Sequence, residues 1–282
     1  MFRTRARTGA GTGTLLRAGR FDVGPTWRLP LRITEFHALF VGLSGQFRFT
    51  VGERVETLTS GGVLWIPRHL AHHGVLGSTE ASCHVVHFEL HPRDQPPPNR
   101  LRHWASVDPE RVDQLCLRAA ADLAEQTLTG AHAGDARLND LLALLAGAPD
   151  AASAPPPGEG TTPASVEAVA AVLNHIAHHV DSPLRITDLA AMAGLHRSHF
   201  TAVFTRLTGL PPSRYVVAAR LARARELLET TSLGLDQIAT RCGFDSASHL
   251  ARRFNEYEGL SPGRYRTRHA TTQHELGLGQ QR

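Results

Sequence analysis

The sequence predicts a two-domain α+β chain. An N-terminal β-barrel with a helical hairpin precedes an all-α domain holding two helix-turn-helix motifs joined by a long helix. Three observations predict it. The segment Ile186 to Tyr265 says nearly the same thing twice, the stretch Arg32 to Leu90 is patterned as short strands, and Gly147 to Pro163 is a linker by composition.

The duplication runs as follows. Leu189, Ala190, Gly194 and Leu195 recur 49 residues later as Ile238, Ala239, Gly243 and Phe244. Phe200, Phe204, Leu207, Gly209, Pro212, Arg214 and Tyr215 recur 50 later as Leu250, Phe254, Tyr257, Gly259, Pro262, Arg264 and Tyr265. The offset changes just after the first glycine, where a turn tolerates an insertion. A repeat of this period means one supersecondary unit used twice.

Each copy opens with a short amphipathic helix, on Leu189, Ala190 and Ala193 or on Ile238, Ala239 and Cys242. Gly194 or Gly243 ends it, as a residue with positive φ often ends a helix. A second helix follows with apolar positions three and four residues apart: Phe200, Val203, Phe204 and Leu207, then Leu250, Phe254 and Tyr257. Gly209 or Gly259, with a proline shortly after, stops it. Two short helices around a tight glycine turn make a helix-turn-helix, whose second helix enters the DNA major groove.

The opposite faces of these second helices suit that use. One carries Arg197, Ser198, Thr201, Thr205 and Arg206; the other carries Ser248, His249, Arg252, Arg253 and Asn255. Such side chains donate to phosphates and base edges. A single polar face is usually just solvated, but two matched ones, the first with no acid between His196 and Leu210, shift the balance. Glu256 and Glu258 make the second less clean. Between the units, Pro212 to Thr230 has no interior Gly or Pro and is rich in Ala, Leu, Arg and Glu, so it predicts one long helix. Such a helix fixes the distance between readers that enter successive grooves about 34 Å apart.

At this point the segment from about Ser165 to His269 resembles the DNA-binding domain of the AraC/XylS family of bacterial transcription regulators. The runs ITDLAAMAGL, RLARARELL and above all IATRCGFDSASHLARRFNEYEGLSPGRYR carry the resemblance. It implies base readout by Arg197, Ser198, Thr201 and Ala202 in the first unit and by Ala247, Ser248, His249 and Arg252 in the second. Ala202 and Ala247 offer only methyl contacts, for example to thymine. Arg206, Arg253 and Arg264 are assigned to phosphate. Arg185 and His196 stand where the family usually has a Ser-like cap, and a missing cap typically costs about 1 kcal/mol. Asp245 and Gly234 are read as caps in the second unit. The second unit is therefore expected to anchor on DNA, and the first to be the adjustable reader that an effector tunes.

Composition bounds the alternatives. The chain has 282 residues, and all its basic residues are Arg. That gives every basic contact a planar fork suited to phosphate and guanine. From residue 1 to 160, 16 Arg balance 16 acids, whereas from 181 to 270, 13 Arg face 8 acids. The positive excess thus sits on the repeat, as a nucleic-acid footprint requires. Cys83, Cys116 and Cys242 are far apart without a CxxC pair, which argues against a disulfide frame or zinc finger. No apolar run approaches 18 residues, and the basic N-terminus lacks a signal-peptide core. No membrane association and a cytoplasmic location are expected.

Segments such as ITEFHALFVGLSG, QFRFTV, VETLTSGGVLWIP and ASCHVVHFEL predict many short strands. GGVLWIPRHLAHHG resembles the second conserved stretch of the cupin barrel, as in the sensor domains of many AraC-type regulators. Cupin enzymes hold a metal with histidines and a Glu. Here His37 stands without the HxH partner and Glu35 precedes it, so no metal and no cofactor are expected. An organic effector in the barrel mouth fits better. Strand parity nominates His37, Phe49, Trp65, His72 and His87 as lining. Pro109 to Leu128 and Asp135 to Ala146 predict two helices; in the family, helices placed here commonly form a dimer interface, and otherwise they cover the barrel.

The expected organisation is then a barrel domain over 1–146 with a mobile arm at 1–20, a linker over 147–163, a DNA-binding domain over 164–270 and a tail over 271–282. The expected function is an effector-controlled regulator, not an enzyme, working as a homodimer on promoter DNA, and with RNA polymerase if it activates. Two alternatives stand beside it: a metal-dependent cupin enzyme with a DNA-binding appendage, and a ligand-independent regulator whose barrel only dimerises.

Overall fold

The computed structural model describes residues 13–51, 54–91, 101–105, 107–149 and 162–275. Its N-terminal half is built of β1 (Gly13–Val23), β2 (Arg28–Arg32), β3 (His37–Ser44), β4 (Gln46–Val51), β5 (Arg54–Thr59), β6 (Val63–Ile66), β7 (His72–Leu76), β8 (Ala81–Leu90) and β9 (Arg102–Trp104). They form two antiparallel sheets, ordered β1-β8-β3-β6-β9 and β2-β7-β4-β5. The expected arm at 1–20 is corrected for its second part. Gly13 to Arg20 lie in β1, where Gly13 to Val23 pair with Leu90 to Ala81 of β8. GTLLRAGRFDV lacks a clean alternation, because the second half of this edge strand is exposed on both faces at Arg20, Phe21 and Asp22. Residues 1–12 and the expected tail from 276 lie outside the described residues, as does most of the linker, 150–161.

Away from its edge strand β1, the first sheet is buried on both faces. One face packs under α1 (Pro109–Ala124) and α2 (Leu128–Ala146), sharing a core of Leu39, Val41, Trp65, Val86, Phe88, Trp104, Val112, Cys116, Leu138 and Leu141. The other face meets the second sheet around Ala38, Phe40, Phe47, Phe49, Leu58, Leu64 and Cys83. The helical hairpin therefore does cover the barrel. Its bounds differ from the expected ones, since Gln126 takes a left-handed φ of 54° and the Thr127 side chain caps α2 by accepting from Gly130 N at 2.9 Å.

The C-terminal half contains α3 (Pro163–His178), α4 (Ile186–Met192), α5 (Arg197–Thr208), α6 (Pro212–Thr230), α7 (Leu235–Arg241), α8 (Ala247–Glu258) and α9 (Pro262–Glu275). α6 spans the expected residues and serves two cores in turn. Tyr215, Val216 and Ala218 join the first, with Val172, Ile176, Leu189, Phe200 and Phe204. Leu221, Ala224, Leu227 and Leu228 join the second, with Ile238, Cys242, Leu250, Phe254 and Tyr265. The three cysteines are buried thiols without disulfides. Ile33 and Ala71 of the barrel are part of the first of these cores, so barrel and first helical unit are packed together.

Candidate nucleic-acid interface and ligand cavity

The two units superimpose in outline as their sequences do. α4 and α7 are each 7 residues long, and α5 and α8 are each 12. The extra residue of the second copy falls in the turn between its helices. Both turns close alike: Leu195 N donates to Ala190 O at 3.0 Å and Phe244 N to Ala239 O at 2.9 Å. Gly194 and Gly243 sit at φ +63° and +71°, Gly209 and Gly259 at +76° and +71°. A side chain in this left-handed region is strained, which is why the same glycines appear in both copies.

The caps differ between copies. α4 and α5 begin at Arg185 and His196 with no side-chain cap bond. In the second unit the cap of α8 is Ser246, whose Oγ accepts from His249 N at 3.1 Å, and not the expected Asp245. Asp245 instead lies 3.5 Å from His249 Nδ1. At the start of α7, Gln237 Oε1 accepts from Gly234 N at 3.2 Å.

The predicted reading residues fall on the outer faces of α5 and α8. Arg197, Ser198, Ala202 and Arg206 are exposed on α5, while Thr201 is half-buried and spends its hydroxyl on Arg197 O at 2.9 Å. On α8, Ser248 and Arg252 are exposed, and Ala247, His249 and Arg253 are half-buried. His249 rests edge-on against Phe244. Arg253 is held by Glu256 at 2.9 Å. Among the described residues Arg197 and Arg252 have no carboxylate partner, so their guanidiniums are available to an incoming polyanion.

A cavity of about 1670 Å³ opens between the two domains. Its barrel wall includes Leu29, Ile33, Ala38, Phe40, Cys83 and Val85, and its helical wall Leu173, Ile176, Tyr215 and Ala219. His72 and His87 line it, as does His69, whose Nε2 is buried without a hydrogen-bond partner. Burial pulls all three imidazoles down, His69 and His87 to about 3 and His72 to about 4, so they are neutral at physiological pH. Burial also raises Glu35, against the attraction of His178. Arg17 and Arg28, exposed at the rim, lack an acidic partner among the described residues.

His37, Phe49 and Trp65 are placed elsewhere, which corrects their assignment as lining. His37 and Trp65 are on the helix-covered face, where Trp65 Nε1 donates to His37 Nδ1 at 3.2 Å and His37 stacks on Phe88. Phe49 fills the inter-sheet core against Phe40 and Trp27. Parity failed because every position of β3 from His37 to Gly42 is buried, so alternation does not say which face is interior. No group of three His, Cys, Asp or Glu side chains able to hold a metal occurs among the described residues.

An acid not among the residues predicted above joins the domains. Glu258 Oε1 accepts from Arg32 Nη1 of β2 at 2.7 Å and from Arg225 Nη1 of α6. The signal was present: Leu250, Phe254 and Glu258 are spaced by four residues, which puts a carboxylate on the buried stripe of α8.

A helix-turn-helix domain model matches residues 189–268. The probable transcriptional regulator LumQ of Photobacterium leiognathi is 35% identical over 92 residues, 33% of this chain and 37% of LumQ. The HTH-type transcriptional activator AarP of Providencia stuartii is 33% identical over 98 residues, 35% of this chain and 73% of AarP. The chain thus spans little more than a third of LumQ but most of AarP. Over the whole molecule, the unsaturated fatty acid-bound ToxT of Vibrio cholerae is similar, with a TM-score of 0.59 at 12% identity, covering 92% of this chain and 97% of that one. At that identity the likeness speaks for the fold.

Proposed function

Since the chain belongs to the AraC/XylS family of DNA-binding transcription regulators, we propose that it is a one-component regulator whose grip on promoter DNA responds to a small molecule held in the interdomain cavity. The single observation carrying this is that both the barrel and the helical domain line one cavity. A ligand touching both acts on their relation, and it shifts a two-state equilibrium by its differential affinity for the states. The apolar walls and the rim arginines Arg17 and Arg28 suit an amphipathic anion. ToxT was solved with an unsaturated fatty acid, so a long-chain unsaturated fatty acid is the first probe.

DNA is read by α5 and α8 through Arg197, Ser198, Thr201, Ala202, Ala247, Ser248, His249 and Arg252, with Arg206 and Arg253 on phosphate. Arg253 must first exchange Glu256 for the phosphate. A homodimer formed through the outer sides of α1 and α2, where Leu117 and Leu128 are exposed, completes the reading. No helix among the described residues is long and apolar enough to cross a membrane, and a cytoplasmic location follows for a DNA-binding chain. An RNA polymerase contact belongs to the reading only if the chain activates.

Thermal unfolding with the fatty acid and with a panel of other metabolites tests the ligand. A ligand of the folded state adds about 2.7 kcal/mol of stability at a hundred times its Kd, by mass action, and so raises the midpoint. No shift with any compound favours a regulator whose barrel only dimerises.

A further inference from the structure

The two copies of the repeated unit meet the barrel at equivalent positions. Thr208 ends α5 and Glu258, 50 residues later, ends α8; each precedes a left-handed glycine, Gly209 or Gly259. Thr208 O accepts from Ala71 N of the barrel at 3.1 Å. Glu258 Oε1 accepts from Arg32 of the barrel at 2.7 Å. The barrel therefore holds the C-terminal end of both recognition helices, and leaves their reading faces outward.

The two attachments differ in kind. The first unit shares a continuous apolar core with the barrel, through Ile33 and Ala71. The core of the second unit, from Leu221 to Tyr265, contains no barrel residue among those described, and α8 reaches the core shared with the barrel through Tyr257 at its edge. Its ion pairing to the barrel centres on one carboxylate, buried with 2% of its side chain exposed, shared by Arg225 within the helical domain and Arg32 from β2. Arg225 also reaches Leu31 O at 3.5 Å. Arg32 keeps 21% of its side chain exposed. The first attachment is spread over a packed core, whereas the polar part of the second is concentrated in one buried carboxylate.

We propose that Arg32 and Glu258 are positioning residues that set the second recognition helix relative to the first, and that the second unit is the one freed when the tie opens. This reverses the expectation drawn from the helix caps, which made the first unit the adjustable reader. Arg32, Arg225, Glu258 and Gly259 all border the interdomain cavity, so an occupant there touches the tie directly. The tie stands on its own geometry; its use by an effector rests on the ligand reading above, and the experiment needs no ligand, so the two fail separately.

The partner to change is Arg32, because removing Glu258 strands buried Arg225 and risks the fold. Hydrogen exchange on the full chain compares wild type, Arg32→Gln and Arg32→Lys. Opening is local, so exchange reports it segment by segment. In Arg32→Gln, amides of Ala247–Glu258 exchange at least about threefold faster while those of Arg197–Thr208 keep their rate; Arg32→Lys restores most of the protection. Unchanged exchange in α8, or equal acceleration in α5, overturns the proposal. A DNA readout guards against a merely structural effect, using a fluorescein-labelled duplex selected from a random pool by the wild-type chain. Arg32→Gln changes its affinity at least about threefold, and that change disappears in the Arg252→Ala background but persists with Arg197→Ala, since coupled sites are non-additive. Additivity with both variants overturns it as well.

Discussion

Arg252→Ala isolates the reading role of α8 with little structural cost. Arg252 is exposed and has no carboxylate partner among the described residues, so its loss breaks no ion pair there. Surface changes of this kind stay within about 0.5 kcal/mol in stability. Whatever changes is then DNA binding. A guanidinium bidentate to a guanine edge is worth about 1–3 kcal/mol, a loss of roughly fivefold to 150-fold in affinity. A guanidinium on phosphate instead weakens all sequences alike and lowers the salt slope by about one. Fluorescence anisotropy on the selected duplex and on a scrambled one, each across a salt series, separates these. The expected result is a loss confined to the selected duplex at unchanged salt slope. Unchanged binding to both duplexes refutes the placement of α8 in the groove.

Three further outcomes are expected. Gly243→Ala destabilises more than Gly194→Ala in urea unfolding: both positions have positive φ, but a Cβ at 243 falls 2.4 Å from Val180 O, whereas none is met at 194. His196→Ser supplies the cap that α5 lacks and raises stability by about 1 kcal/mol in the same assay; no gain contradicts an uncapped α5. Acidification destabilises the fold through His69 and His72. Their folded pKa values, about 3 and 4, lie below the ordinary 6.5, so the unfolded chain binds more protons and stability falls as pH drops below 6.5. Each contributes up to about 2 kcal/mol between pH 7 and pH 5. His72→Leu, read by urea unfolding at both values, flattens this dependence.

The helical domain was legible because its signals are local and doubled. Glycines, apolar spacings of three and four, and a proline after each recognition helix fix the units without long-range information, and α6 runs between its expected ends. The barrel was legible as strands but not as faces. With α1 and α2 on one side and the second sheet on the other, β3 is buried from His37 to Gly42 and β6 throughout, and parity put His37 and Trp65 in the wrong layer. β1 is hidden in the sequence because Arg17, Arg20 and Asp22, spread over both of its faces, are exposed. Glu258 looked like an impurity on a basic helix. Its partner Arg32 lies 226 residues away, a pairing no single sequence declares.

In the proposed mode of binding, the duplicated unit reads DNA with two helices at once. Methylation interference on the selected duplex with the full chain tests it most directly, since the modified guanine atom faces the major groove. Two clusters of interference per chain are expected, centred about 10 base pairs apart, with Arg252→Ala erasing one and Arg197→Ala the other. A single cluster, or two erased together by either substitution, contradicts it.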